Sequence, residues 1–144
     1  MFGWFKREEV LLSSPVQGQL LDGDKPLSGI TVTRELIYGK EYIDTTTTDK
    51  NGYFEFPEKN IKSNKSNNMF DNEPIQQNIF IKHNENEITL WGIYFLAFSP
   101  KDQTITRNLN NLMCNVNTTP QTHDIKVTEN NDHFFSIYTI CNLK

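Results

Sequence analysis

The stretch GITVTRELIYG, residues 29–39, alternates with period two. Ile30, Val32, Arg34 and Leu36 fall on one side of an extended chain, and Thr31, Thr33 and Glu35 on the other. Successive side chains of a strand point to opposite faces, and β-branched residues suit a pleated surface. Similar short stretches recur along the chain, each bounded by turn formers. SPVQGQLL (14–21) sets Val16, Gly18 and Leu20 on one face. QNIFIKH (77–83) sets Ile79 and Ile81 against Phe80 and Lys82. THDIKVTE (122–129) and HFFSIYTIC (133–141) read as a hairpin around NND (130–132). Short strands separated by turn clusters predict an all-β sandwich.

The stretch TTTTDKNGYFEF (45–56) predicts a β-hairpin, with Gly52 free to take positive φ and Phe54 and Phe56 on the core side. Pro57 ends that strand, and the Asn, Ser and Lys density of residues 57–75 predicts a long loop. ITLWGIYFLAF (88–98) is apolar on both faces, as a central or covered strand is. Ile105, Leu109 and Leu112 recur at helical spacing, and Asp102 suits an N-cap. One short helix is therefore expected over 102–112, covering the second face of 88–98. With residues 1–13 as an N-terminal extension, residues 1–144 read as a single domain of about seven or eight strands.

Composition narrows the function classes. The net charge is −4, which argues against nucleic acid as a partner, since such proteins present a basic face. The most apolar run is far short of a membrane span, so no stable membrane insertion is expected. The first residues, MFGWFKREEV, are too charged for a secretory signal, and Gly stands at position 3 rather than 2. The expected location is cytoplasmic. Cys114 and Cys141 form no CxxC; they read as buried thiols, or as one disulfide if two C-terminal strands meet.

The run SPVQGQLLDGDKPLSGITVTREL…TTTTDKNGYFEF resembles the carboxypeptidase-regulatory-like domains, which share the transthyretin-like (prealbumin-like) sandwich. The recurring V-x-G appears as Val16 to Gly18. The P-L-x-G-x-x-V element appears as Pro26, Leu27, Gly29 and Val32. The last element appears as Thr48, Asp49, Gly52, Phe54 and Phe56. The resemblance implies an antiparallel transthyretin-like β-sandwich and an accessory, non-catalytic role. The chain is also similar to small stand-alone bacterial proteins linked to type VI secretion, where immunity proteins sit beside toxins.

No constellation of residues predicts chemistry. Asp49 and Asn51 beside Gly52 lack the further ligands of a calcium loop. His83, His123 and His133 form no HxH or HExxH, and no G-x-S-x-G elbow or P-loop is present. No catalytic residue, metal or cofactor is expected. What remains is a binding surface rich in carboxylates, suited to a basic protein partner. The candidate partner-binding residues are Glu35, Tyr38, Glu41, Tyr42, Asp44, Phe70, Asp71 and Glu73, with Trp4 a further aromatic anchor. The expected function is an immunity protein that neutralises a cognate secreted toxin by occlusion. The alternatives are an accessory or adaptor module of a secretion or envelope system and, third, a small enzyme.

Overall fold

The computed structural model describes residues 8–63, 74–96, 102–127 and 130–144. Among them are thirteen strands and one helix: β1 (Glu8–Ser13), β2 (Val16–Asp22), β3 (Lys25–Pro26), β4 (Thr31–Tyr38), β5 (Lys40–Thr47), β6 (Tyr53–Phe56), β7 (Lys59–Ser63), β8 (Pro74–His83), β9 (Asn86–Leu96), α1 (Gln103–Leu109), β10 (Leu112–Asn115), β11 (Gln121–Val127), β12 (Asn130–Thr139) and β13 (Cys141–Asn142). The large sheet runs β11-β12-β9-β8-β4-β5. The small sheet runs β13-β10-β2-β3, with β6 also on β2, and β1 pairs with β7. The protein is therefore mostly β and sandwich-like, with one short helix. Its strands pair antiparallel except β10 with β2, which pair in parallel from Leu112↔Gly18 to Asn115↔Leu21.

The core follows from the alternation. Val32, Arg34, Leu36 and Tyr38 of β4 are buried, and so are Ile75, Gln77, Ile79 and Ile81 of β8. The apolar members of these two sets meet Val16, Leu20, Phe54 and Phe56 of the small sheet in one cluster, with Ile30 packed against it. Gly18 is required there, because a Cβ would stand 2.6 Å from the Phe54 ring.

The segment 45–56 turns but does not form a hairpin. β5 pairs with β4 in the large sheet, and β6 pairs with β2 in the small one, so the turn carries the chain from one layer to the other. Buried Thr48 causes the departure. Its N–H donates to Ile30 O at 2.9 Å, and its Oγ1 accepts from Ile30 N at 2.9 Å. Asp49 Oδ1 then accepts from the N–H groups of Asn51 and Tyr53, both at 2.9 Å. Gly52 takes φ +82°, and its carbonyl accepts from Leu20 N at 2.8 Å.

Three further expectations are corrected. Residues 8–13 are strand rather than extension, and residues 59–63 of the expected loop pair with them. The helix stops at Leu109, since Leu112 already pairs with β2. Asp102 does cap it, accepting from Thr104 N at 2.9 Å. The helix buries Ile105 and Leu109 in the core. It leaves the far face of β9 uncovered, where Tyr94 is 60% exposed. A β-bulge between Ile79 and Phe80 sets Trp91 opposite Ile79 and Thr89 opposite Phe80. Adjacent Leu90 and Trp91 are consequently both buried.

Candidate functional site

The fold divides the expected binding residues by parity. On β4 and β5, Glu35 and Glu41 point outward from the large sheet, while Tyr38, Tyr42 and Asp44 point inward. Tyr38 is only 2% exposed, so it offers no surface to a partner. Half-buried Tyr42 lies under two ammonium groups, with Lys40 Nζ and Lys59 Nζ each 5.7 Å from its ring centroid. Asp44 is committed to Arg34. Phe70, Asp71, Glu73 and Trp4 lie outside the described residues.

Arg34 organises a buried polar chain. Its side chain is fully buried, yet its Nε and Nη2 reach Asp44 Oδ1 and Oδ2 at 3.0 and 2.7 Å. Its Nη1 donates to Pro57 O at 2.8 Å and to Ser13 Oγ at 3.3 Å. Gln77 Nε2 donates to the same Ser13 Oγ at 2.7 Å, and Trp91 Nε1 donates to Gln77 Oε1 at 3.0 Å. The guanidinium also lies 4.9 Å from the Phe56 ring centroid. These contacts tie β5, β4, β1, β8 and β9 together beneath the sheet. They leave no buried side-chain polar atom unpartnered among the described residues, the condition under which a buried network rigidifies rather than weakens a core.

Above that support lies the outer face of the large sheet. Register places Thr122, Tyr138, Gly92, Asn78, Glu35 and Ile43 in one row across six strands. Six strands at about 4.8 Å spacing make the face about 24 Å wide. A neighbouring row sets Tyr94, Gln76, Ile37 and Glu41 side by side. Four large apolar side chains stand exposed on the face: Ile43 at 56%, Tyr94 at 60%, Phe134 at 58% and Tyr138 at 45%. Asn78 Nδ2 donates to Glu35 Oε1 at 3.1 Å, fixing the carboxylate within the row. Exposed aromatics over a polar field are the composition of a protein-binding patch.

An open groove of about 650 Å³ crosses the outer face of the small sheet. Gln17, Gln19, Tyr53, Glu55 and Met113 line it, with Asn110, Asn111 and Lys144 at one side. Four side-chain amides, Gln17, Gln19, Asn110 and Asn111, are in this lining, and none of the lining residues is a histidine or cysteine.

His83 and His123 do not meet. They lie on β8 and β11, three strand steps apart, about 14 Å at the usual spacing. Their register differs as well, since the row of His123 reaches β8 at Gln77. Among the described residues no group of three His, Cys, Asp or Glu could hold a metal. Cys114 and Cys141 are opposite each other on β10 and β13 and are joined in a disulfide, which settles the open choice between thiols and a bond.

The sequence reading missed Tyr94, Phe134 and Tyr138. A usable signal existed in HFFSIYTIC, where Phe134, Ser136 and Tyr138 share one parity and the polar Ser136 marks it as the wet side. For Tyr94 the signal was hidden, because the bulge at Leu90 breaks the alternation of β9.

A family model described as a domain of unknown function, DUF6795, matches residues 16–119. That is well over half of the chain, and the protein belongs to this family. Neither a curated protein nor a solved structure was found to match it. No helix among the described residues is long and apolar enough to cross a membrane.

Proposed function

We propose that the protein is a non-catalytic binding protein that engages a cognate protein, a secreted toxin, through the outer face of its large sheet and neutralises it by occlusion. The observation that carries this reading is the exposure of Tyr94, Phe134, Tyr138 and Ile43 on one face backed by the rigid Arg34 network. Tyrosine and phenylalanine anchors at the centre of an interface supply most of its binding energy. Glu35 and Glu41 lie among them and would favour encounter with a basic partner. We read the sandwich as transthyretin-like. Support comes from the V-x-G, P-L-x-G and G-x-F-x-F elements, whose apolar members Val16, Val32, Phe54 and Phe56 all enter the core. On this reading the protein acts in the cytoplasm of the toxin-producing cell.

Deletion of the gene alone is then expected to arrest growth, and deletion together with the toxin gene to be harmless. The wild type restores growth, and a folded Tyr94→Ala/Phe134→Ala/Tyr138→Ala variant does not. Harmless single deletion would remove the immunity role. Full rescue by the triple variant would remove the face from the mechanism.

One observation favours a second reading, an accessory module of an envelope system. The Cys114–Cys141 disulfide belongs more readily to an oxidising compartment, because cytosolic thiols are kept reduced. Alkylation after acid quenching and denaturation of the cells separates the two, because both sulfurs are buried in the folded protein. Two labelled cysteines fit the cytoplasmic reading, and none fits the envelope.

A further inference from the structure

We propose that β11 is a self-pairing edge: two copies of the chain join antiparallel along it, centred on Ile125, so that their large sheets become one continuous sheet. The inference is independent of the partner proposed above. Among the described residues β11 has β12 as its one sheet neighbour, which leaves its other side a row of open backbone donors and acceptors. Such an edge is a template for another strand unless something blocks it. The other end strands of the two larger sheets differ. β3 and β13 are two residues long, and on β5 the opposite charges Lys40 and Asp44 flank Tyr42, but Asp44 is already bound to Arg34.

Charge selects both the register and the occupant. Asp124 and Lys126 lie two residues apart on the same, exposed face of β11. Charged residues on an edge ordinarily deter pairing. Antiparallel pairing centred on Asp124 or on Lys126 would indeed set like charges directly opposite, which is destabilising. Pairing centred on Ile125 instead sets Asp124 of each copy opposite Lys126 of the other, twice by symmetry, and half-buried Ile125 against its counterpart. Of the registers centred on Asp124, Ile125 and Lys126, only the middle one sets opposite charges against each other. Asp124 is held in place for it, since Ser136 Oγ donates to its Oδ1 at 2.7 Å. A two-fold axis normal to the sheet keeps the outer faces on the same side, so Phe134 and Tyr138 of both copies would flank the joint. β11 lies beyond the residues matched by the family model, so the inference concerns this chain rather than its family.

Sedimentation velocity over a concentration series tests it with the full chain. The wild type is expected to show a reversible monomer–dimer equilibrium. Asp124→Lys and Lys126→Asp, each of which turns both cross-pairs repulsive, are expected to weaken it by about tenfold or more. The double swap Asp124→Lys/Lys126→Asp is expected to restore it. Mixing the two single variants is expected to give a heterodimer, because their edges are then complementary. Circular dichroism checks that each variant is folded. A wild type monomeric at all concentrations overturns the proposal. So does a dimer indifferent to the single changes, or a failure of both the double swap and the mixture.

Discussion

Replacing Asp44 with alanine should destabilise the protein more than replacing its partner Arg34 with methionine. The Arg34 side chain is fully buried and meets both carboxylate oxygens of Asp44, whose own side chain is 41% exposed. Removing one member of a fully buried ion pair leaves an uncompensated charge and costs about 3–5 kcal/mol. Water reaches the Asp44 side and would solvate part of the orphaned guanidinium, which lowers the cost to about 2–3 kcal/mol. For a chain of this size that corresponds to a fall in Tm of about 5–10 °C. Arg34→Met removes the buried charge itself and keeps an apolar stem beside Phe56. Asp44 then turns to solvent, Ser13 keeps its bond from Gln77, and Pro57 O loses one donor, at a cost of about 1–2 kcal/mol. The double variant should resemble Arg34→Met, because no buried charge remains to be orphaned. Urea denaturation followed by circular dichroism measures all three. The reasoning fails if Asp44→Ala lies within about 0.5 kcal/mol of the wild type, the usual range of a surface change. It fails equally if Arg34→Met proves the costlier substitution.

Three other outcomes follow from the geometry. The β8–β9 hairpin turns on Asn84 and Glu85, both at positive φ (52° and 67°), so Glu85→Gly should raise stability by about 1 kcal/mol in thermal melts. Gly52→Ala should do the opposite and cost about 2 kcal/mol or more, since its φ is +82° and a Cβ would stand 2.5 Å from Leu20 O. Reducing the Cys114–Cys141 bond, which spans 27 residues, should lower the urea midpoint by the equivalent of about 3.5 kcal/mol. Thiol titration of the protein purified in air and then denatured should find no free thiol before reduction and two after it.

Alternation made the strand-rich sandwich legible. The inward set Val32, Leu36, Ile79 and Ile81 could be named from period two alone, because burying one face is what fixes register. The partnership of strands was not legible. TTTTDKNGYFEF carries every local mark of a hairpin, yet Thr48 binds Ile30 and sends β6 to the other layer. Local turn chemistry states that the chain turns, whereas long-range pairing decides which strand receives it. The β1–β7 ribbon was hidden for the same reason, since Lys59, Asn60 and Lys62 look like loop and Leu11 and Val10 of the facing strand supply the order. Within the candidate site, Glu35 and Glu41 were placed on an exposed face, but Tyr38, Tyr42 and Asp44 were grouped with them across the parity line. Arg34, a charge on an otherwise apolar face, was the available sign that an acid nearby would be spent on a buried pair.

The account rests on the outer face of the large sheet being the working surface. The most direct measurement is the equilibrium affinity of the purified protein for the toxin partner proposed above, wild type against the folded Tyr94→Ala/Phe134→Ala/Tyr138→Ala variant. Loss of three central aromatic anchors should weaken binding by about a hundredfold or more. An unchanged Kd, with both proteins folded, would place the interface elsewhere and contradict the account.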